Sequence, residues 1–295
     1  MNIGIVVLNY NNYQETKRCV NQLISIDAPA QICIVDNNSK NESYTHLSDY
    51  FIDKERVNVI QNQTNAGYAA GNNVGIKYLI ENYNSDAICI LNPDVIISKE
   101  NFFDNLYKKL MSNDKYALIS GICIQNESFN MHYSGWKLPT GMDLIKSRCY
   151  LIHTKTRLDL PFKSKVTSEG VIEVGVLVGC CFMIKTTVIK EIGYFDEGTF
   201  LYNEENILGW QIKNIGMKEV ISIDDYYYHN HQEESAIIHK TFKDKCKLER
   251  LYYPSTAYLL SKYYDKKVCM LYEVVHKMNM IHLVLSYAKD KILRR

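Results

Sequence analysis

Short apolar runs alternate with segments of helical periodicity over roughly the first ninety residues. Four runs have the length and composition of buried strands: Ile3–Leu8, Gln31–Val35, Val57–Gln61 and Ala87–Leu91. Between them, Thr16–Ile26 and Ala69–Tyr83 carry apolar residues three and four positions apart, as on one face of an α-helix. This alternation predicts an α/β fold with a mainly parallel sheet covered by helices on both faces.

The remainder of the chain has a less regular pattern. Residues 125–170 lack clear periodicity, and we interpret them as irregular structure that covers a ligand-binding site. Strand and helix signals then return at Val171–Val178, Thr186–Ile192, Glu204–Ile215 and Lys218–Ile223. From Asp244 onward the pattern is mainly helical. We therefore expect a catalytic domain over residues 1–235 and a helical C-terminal extension over residues 236–295.

Polar side chains cluster where each of the four early strands ends. The clusters are Asn9–Asn12, Asp36–Ser39, Asn65–Gly75 and Asn92–Asp94. Ligands of open α/β sheets bind beyond the carboxyl ends of the strands. Four clusters at one predicted edge therefore indicate a binding site.

Charge and cysteine content indicate which partners and which cellular compartment to expect. The net charge of +1 gives no overall attraction for nucleic acid, so we expect no such partner. Nine cysteines without a C-x-x-C pair favour free thiols in a reducing, cytoplasmic compartment. The N-terminus lacks the pattern of a signal peptide. No apolar stretch reaches ~18 residues, so the sequence predicts no transmembrane helix.

The polar clusters resemble, in type and order, the motifs of family 2 glycosyltransferases, especially the rhamnosyltransferase-like branch. The matching segments are Val6–Asn11, Val35–Ser39, Asn65–Gly75, Leu91–Asp94, Val178–Ile184, Ile192–Glu197 and Phe200–Glu205. The resemblance implies a GT-A fold, which is Rossmann-like with a mixed, mainly parallel sheet flanked by helices. It also implies transfer of a sugar from a nucleoside-diphosphate sugar.

The resemblance assigns the nucleotide sugar to ten residues: Asn9, Tyr10, Asp36, Asn38, Asn65, Gly67, Gly71, Asn73, Asn92 and Asp94. The Asp36 carboxylate would accept hydrogen bonds from the base or the ribose, whereas the alternative is an Asx-turn that closes the strand. Gly67, Gly71 and Gly75 recur every four residues. They would bring a helix N-terminus to the diphosphate, or pack the helix against the sheet, or divide these roles.

Asn92-Pro93-Asp94 is the candidate metal site. Pro93 ends the strand, so Asp94 projects into the crevice, where a carboxylate suits Mg²⁺ or Mn²⁺. The resemblance adds a histidine ligand followed by a serine, for which His229 and Ser235 fit, with His231 left open as the ligand. Many family members carry Asp where this chain has Asn92.

Glu204 and Glu205 are the candidate catalytic residues. Inverting transfer needs a base that takes the proton of the acceptor hydroxyl. The family pattern is Glu-Asp with the second residue as the base, which indicates Glu205 and leaves Glu204 open. Alternatively, both carboxylates only stabilise a helix N-terminus. Ile207 and Gln211 replace a family Asp and Arg, so a degenerate transferase acting as a binding subunit is the alternative function.

The resemblance also implies the partners. The acceptor would be a glycan or a lipid-linked sugar in surface polysaccharide biosynthesis. Val268–Leu285 would then lie as an amphipathic helix on the membrane, or else pack on the catalytic domain or on a second copy of the chain. A nicotinamide dehydrogenase is disfavoured because a G-x-G-x-x-G motif should follow the first strand, where Asn9–Asn12 stands instead.

Overall fold

The computed structural model describes residues 1–125, 128–129, 131–150, 165–229 and 241–293. The strands are β1 Ile3–Asn9, β2 Ala30–Asp36, β3 Val57–Gln61, β4 Ala87–Leu91, β5 Val95–Ile96, β6 Tyr116–Gln125, β7 Ser128–Phe129, β8 Gly135–Trp136, β9 Val171–Val174, β10 Val176–Leu177, β11 Cys181–Lys185 and β12 Lys218–His229. The helices are α1 Tyr13–Ser25, α2 Ser43–Phe51, α3 Tyr68–Tyr83, α4 Phe102–Met111, α5 Gly141–Arg148, α6 Thr186–Glu191, α7 Glu204–Asn214, α8 Phe242–Tyr263 and α9 Lys266–Leu293.

The main sheet is mixed and mainly parallel. Its strand order is β3-β2-β1-β4-β11-β6-β12-β5, with β7 beside β6 and β9 beside β12. Strands β1 to β4 run parallel, β11 is antiparallel to both of its neighbours, and β12 runs parallel to β6. The carboxyl ends of β1, β2, β3 and β4 therefore meet at one edge, as the sequence predicts.

Helices cover both faces of this sheet because its central strands are apolar on both sides. One face packs against apolar side chains of α1, α2 and α4. The other packs against α3, α6 and α7. Strand β4 is buried along its whole length, which explains its uninterrupted run of apolar residues. The predicted GT-A architecture is confirmed.

Several elements differ from the sequence-based expectation. Helices α2 and α4 and strand β6 were not predicted. The interpretation of residues 125–170 as irregular is wrong in part, since this stretch contains α5. That helix starts with a reciprocal capping box between Thr140 and Asp143, a signal readable from sequence. Strand β12 extends beyond the predicted Ile223 to His229.

The C-terminal helices pack on the rest of the chain. Leu259 and Leu260 of α8 share a buried cluster with Ile145 of α5 and Ile207 of α7. On α9, the Asn279 amide donates to the Arg148 carbonyl at 2.5 Å. The extension is thus joined to the catalytic region by an apolar core. The proposed boundary at residue 235 lies outside the described residues.

Helix α9 has a second, exposed apolar face. Its members are Met270, Leu271, Val274, Met278, Ile281, Val284 and Leu285. Contrary to the expectation of no spanning segment, Lys266–Lys289 is long and apolar enough to cross a membrane by length and composition. Buried side chains such as Tyr272 and Val275 hold the opposite face of α9 against the protein.

Candidate active site

Asp94 and His229 form a pair at the edge where β4 ends. The Asn92 N–H donates to the Cys180 carbonyl at 2.8 Å, which fixes the turn after β4. The chain then enters β5, where Val95 pairs with His229 of β12. As a result, Asp94 Oδ2 lies 3.1 Å from His229 Nε2. The Asp94 side chain is 26% exposed and that of His229 only 4%, so the carboxylate is the more accessible of the two groups.

The donor atoms of this pair fit a divalent metal ion. Burial disfavours the imidazolium, but the hydrogen bond to Asp94 and the contact with Cys123 outweigh it and raise the pKa of His229 to about 9. Carboxylate oxygen suits Mg²⁺ and Mn²⁺, while neutral imidazole nitrogen is a ligand for transition ions. Asp94 and His229 would hold such an ion, and their shared proton would be released on binding.

Glu204 and Glu205 occupy the first turn of α7. The preceding Asn203 is left-handed, with a φ of 68°, and its side chain makes no capping bond. Burial, followed by the neighbouring Glu205 carboxylate, raises the pKa of Glu204 to about 8. Burial also raises the pKa of Glu205. Hydrogen bonds from the backbone N–H groups of Glu205 and Gly179 lower this pKa, but burial outweighs them. The Glu204 Oε1 atom is buried without a hydrogen-bond partner.

One turn, Gly179–Cys180, joins the two acidic positions. A Cβ at Gly179 would lie 2.7 Å from Glu205 Oε1, so a larger residue there would displace this carboxylate. The Tyr68 hydroxyl donates to the Gly179 carbonyl at 2.5 Å. The next residue, Cys180, accepts from Asn92 as described above. Glu205 and the Asp94 loop therefore contact consecutive residues of the same turn.

A small cavity lies beside the two glutamates. Its lining includes Tyr68, Gly179, Phe195, Glu204 and Glu205, and not Asp94. Its volume of about 10 Å³ suffices for roughly one water molecule. The apolar part of this lining removes the carboxyl groups from water, which is the physical cause of their raised pKa values.

The predicted base-binding residues form a saturated polar network. Asp36 is 0% exposed. Its carboxylate accepts from Asn9 Nδ2 at 2.8 Å, from the Ser39 N–H at 3.0 Å, from the Ser39 hydroxyl at 2.5 Å and from Gln61 Nε2 at 3.3 Å. Asn9 Oδ1 in turn accepts from Thr16 at 2.8 Å. The bond from the Ser39 N–H spans three residues and closes the turn after β2, whereas an Asx-turn would join Asp36 to the N–H two residues on.

Asn65 and Asn38 shape the neighbouring loops. Asn65 Oδ1 accepts from the Gly67 N–H and from Asn37 Nδ2, both at 3.0 Å. Asn38 is left-handed with a φ of 56°, and its side chain donates to the Gln63 carbonyl at 2.7 Å. These bonds hold the ends of β2 and β3 together. Among the ten predicted nucleotide residues, Tyr10 stands out because 47% of it is exposed.

Two of the predicted glycines have different roles. Gly67 has a φ of 104°, and a Cβ there would lie 2.2 Å from the Phe200 carbonyl oxygen. This close approach lets the Tyr68 N–H donate to the same oxygen at 3.1 Å. At Gly71, a Cβ would instead lie 2.6 Å from Leu8. Gly71 thus lets α3 pack on β1, whereas Gly67 ties the start of α3 to the loop before α7.

Asn73 links α3 to the segment between β11 and α7. Its Nδ2 donates to the Phe195 carbonyl at 2.9 Å and to Glu197 at 2.7 Å, and its Oδ1 accepts from the Phe195 N–H at 3.0 Å. Its donor and acceptor groups are thus engaged by protein atoms. In this structure Asn73 positions a loop, and its predicted contact with the nucleotide sugar stays a prediction.

The comparison with known proteins decides the family. The family model described as glycosyl transferase family 2 matches residues 4–193. The chain belongs to glycosyl transferase family 2. The match covers most of β1, all of β2 to β4 and the Gly179–Cys180 turn, whereas Glu204, Glu205 and His229 lie beyond its end.

Similar proteins carry glycosyltransferase names. The low-salt glycan biosynthesis hexosyltransferase Agl10 of Haloferax volcanii is 27% identical over 223 residues, which cover 74% of this family 2 chain and 65% of that protein. GalNAc-T7 with UDP, GalNAc and Mn²⁺ has a TM-score of 0.59 at 15% identity, over 88% of this chain and 47% of its own. The Pyrobaculum calidifontis mannosyltransferase PcManGT, in complex with GDP-Man and Mn²⁺, has a TM-score of 0.54 at 10% identity. This match covers 98% of this chain and 87% of the mannosyltransferase chain. The structural likeness shows the shared GT-A fold.

The structure shows the surroundings of the two residues at which this family 2 chain departs from the pattern. Ile207 is buried among α5 and α8, so an Asp there would place a charge in the core that holds the C-terminal helices. Gln211 donates to the carbonyls of Ile192 and Tyr194 at 3.1 and 3.0 Å. His231 and Ser235 lie outside the described residues.

Residues that the sequence did not single out also belong to this site. Tyr68, Gly179 and Cys180 connect the acidic pair to the metal-site candidate, and Cys123 contacts His229. Gly179 and Cys180 stood in a matching segment, but glycines and cysteines have no charge that would have marked them. Cys123 had no sequence signal, since its role depends on pairing between distant strands.

Proposed function

We propose that this chain is an inverting glycosyltransferase. It moves a hexosyl or deoxyhexosyl group from a nucleoside-diphosphate sugar to a glycan or lipid-linked acceptor in surface polysaccharide biosynthesis. The observation that carries this proposal is that two different acidic sites lie against one turn, Gly179–Cys180. The Asp94–His229 pair and Glu205 approach Cys180 and Gly179, respectively.

The two sites differ in the chemistry that they suit. Asp94 and His229 would hold Mg²⁺ or Mn²⁺, and the bound ion would neutralise charge on the diphosphate leaving group. Asp94 is the more exposed partner, which is the arrangement expected when a carboxylate must reach both an ion and a substrate. The presence of Mn²⁺ with nucleotide ligands in the GalNAc-T7 and PcManGT structures supports this assignment.

Glu205 is the proposed general base. A base works best when its pKa lies near the working pH, and burial raises the pKa of Glu205 in that direction. Gly179 gives its carboxylate a fixed position, while Glu204 beside it adds a second raised pKa. The proton of the acceptor hydroxyl would pass to Glu205 as the hydroxyl oxygen bonds to the anomeric carbon, while the bond from that carbon to the diphosphate oxygen breaks and the nucleoside diphosphate leaves.

The exposed face of α9 supports a cytoplasmic protein peripheral on the inner face of the membrane. Between Lys266 and Lys289 the helix carries four lysines and one glutamate, which suits an anionic surface. The opposite face of the helix is held by the protein core. These contacts favour a helix that lies on the membrane over one that crosses it.

The enzymatic proposal is tested with purified protein, Mn²⁺ and a panel of donors. The panel includes deoxythymidine-diphosphate rhamnose, which tests the rhamnosyltransferase-like branch, together with UDP- and GDP-sugars. We expect donor turnover with one of them, and a loss of at least about 100-fold in Glu205→Gln. Nucleotide binding, followed by thermal stabilisation, should persist in this variant. Glu81→Gln, an exposed change on α3, is the control and should keep full activity.

Three outcomes separate the alternatives. Full activity in Glu205→Gln with loss in Glu204→Gln would move the base to Glu204. Nucleotide binding without hydrolysis or transfer of any donor by the wild-type chain would favour a degenerate binding subunit. If the wild-type chain neither binds nucleotide nor turns over any donor, the transferase proposal is refuted.

The membrane proposal is tested by flotation with vesicles that contain anionic lipid. The double variant Val274→Glu with Ile281→Glu should lose binding, because it places two charges on the exposed apolar face. Ser261→Glu with Asn82→Glu adds the same charges at other exposed sites and should lower binding much less. A change in oligomeric state instead of vesicle binding would show that a second copy covers this face.

A further inference from the structure

Three metal-ligating side chains meet behind the candidate active site. The sulfur atoms of Cys123 and Cys180 and a ring nitrogen of His229 all lie within 4.8 Å of one another. All three residues are buried. The Cys180 sulfur also lies 3.4 Å from the Tyr227 hydroxyl, so this hydroxyl group borders the cluster.

Sheet geometry brings these residues together. Strand β6 lies between β11 and β12, and Cys123 of β6 pairs with Tyr227 of β12. His229 is two residues beyond Tyr227 and therefore points to the same face of the sheet. Cys180 precedes β11 directly and reaches the cluster from the other side. Strands β6 and β12 thus supply one ligand each, and the turn that leads into β11 supplies the third.

We propose that Cys123, Cys180 and His229 form a binding site for one thiophilic divalent cation of the Zn²⁺ type. Two thiolates and an imidazole are a ligand set that tetrahedral zinc accepts, with a carboxylate or water in the fourth position. The partly exposed carboxylate of Asp94 lies 3.1 Å from His229 Nε2, and we expect the ion to enter past it from solvent. On binding, the protons held by the two cysteines and by the His229 imidazolium pass to the buffer, and two S–metal bonds and one N–metal bond form.

The site would be selective against the ions proposed for catalysis. Thiolate ligands favour Zn²⁺, whereas Mg²⁺ and Mn²⁺ prefer carboxylate and water oxygens. His229 belongs to both ligand sets. A bound thiophilic ion would therefore withdraw His229 from the Asp94 pair and inhibit sugar transfer even in excess Mg²⁺. This consequence rests on the proposed function, whereas the binding site itself does not.

The binding test uses the full chain, treated with a chelator, desalted and kept anaerobic. Titration with Cd²⁺ should give a thiolate-to-metal charge-transfer band that saturates at one ion per chain, and Zn²⁺ should abolish the band by competition. Cys123→Ser and Cys180→Ser should each weaken Cd²⁺ binding by at least about 10-fold. Cys33→Ser, which alters a buried thiol on β2, is the matched control and should leave the band unchanged.

X-ray absorption of the Zn²⁺-loaded wild-type chain gives a readout that needs no variant. We expect two sulfur ligands and nitrogen or oxygen ligands around one zinc. A shell of only nitrogen and oxygen, or a charge-transfer band that persists in folded Cys123→Ser and Cys180→Ser, would overturn the proposal. Zinc binding as expected, in a chain whose chelator-treated form shows no transferase activity with Mn²⁺, would refute the proposed function and leave this site standing.

Discussion

The Asp36 network and the Glu204–Glu205 pair are both buried acidic groups, yet their surroundings are opposite. Asp36 accepts four hydrogen bonds from Asn9, Ser39 and Gln61. A carboxylate has about four acceptor positions, so this group is fully satisfied. Glu204 has a buried oxygen without a partner, and its pKa is raised to about 8.

This difference separates structural from chemical roles. A satisfied buried carboxylate stabilises the loops that donate to it, and removing it leaves those donors unpaired. An unsatisfied one costs free energy in the folded state, and such groups concentrate at functional sites. We infer that the Asp36 side of the cleft is a rigid frame, and that the acidic pair at α7 is the reactive part.

The largest effect is expected at Asp94, whose loop contacts the same turn as the reactive acidic pair. Asp94→Asn removes the charged metal ligand but keeps the shape of the side chain. Initial rates with the preferred donor and Mn²⁺ should fall by about 1,000-fold, which corresponds to roughly 4 kcal/mol. Asp53→Asn, an exposed carboxylate after α2, is the control and should change nothing. Undiminished turnover in Asp94→Asn would remove this residue from the metal site.

The next effect concerns the frame at Gly67. Gly67→Ala would force a Cβ to within 2.2 Å of a backbone oxygen at a φ of 104°. We expect a loss of about 2–4 kcal/mol in the free energy of unfolding, measured with urea. Gly216→Ala isolates the backbone strain, because its φ is 73° and nothing lies near its Cβ. That control should lose only about 1 kcal/mol; equal losses would mean that the contact with Phe200 is unimportant.

Asp36→Asn tests whether the frame is structural. An amide cannot accept from all four donors, so the free energy of unfolding should fall by about 1–3 kcal/mol without nucleotide present. Titration of the folded variant with nucleoside diphosphates measures any direct contact separately. Unchanged stability together with lost nucleotide binding would favour the base-binding role over the turn-closing role.

Features with a local sequence signal could be predicted, whereas those that depend on distant parts of the chain could not. The parallel sheet, its edge and the acidic residues were predictable because apolar runs and charged side chains carry local signals. Strand β6 and Cys123 were not, because their role depends on pairing with β11 and β12 from distant parts of the chain. The contacts of Asn73 were also hidden, since its partners lie more than a hundred residues away.

The smallest effect is a pH dependence at Glu204. In the unfolded chain its pKa has the ordinary value of 4.5, and burial and Glu205 raise it to about 8 in the folded protein. Between these two pH values the folded state binds more protons than the unfolded state, so stability contributed by this group falls as the pH rises. Glu204→Gln cannot titrate and removes that loss.

Urea unfolding of Glu204→Gln and wild type at pH 5, 6.5 and 8 measures this difference. Relative to wild type, the variant should gain roughly 1 kcal/mol between pH 5 and pH 8, since one pKa unit corresponds to about 1.4 kcal/mol and partial exposure and coupling to Glu205 reduce the full shift. Glu81→Gln, exposed on α3, should run parallel to wild type at every pH. If Glu204→Gln also runs parallel, Glu204 ionises normally in the folded chain, and the contrast with Asp36 would rest on Glu205 alone.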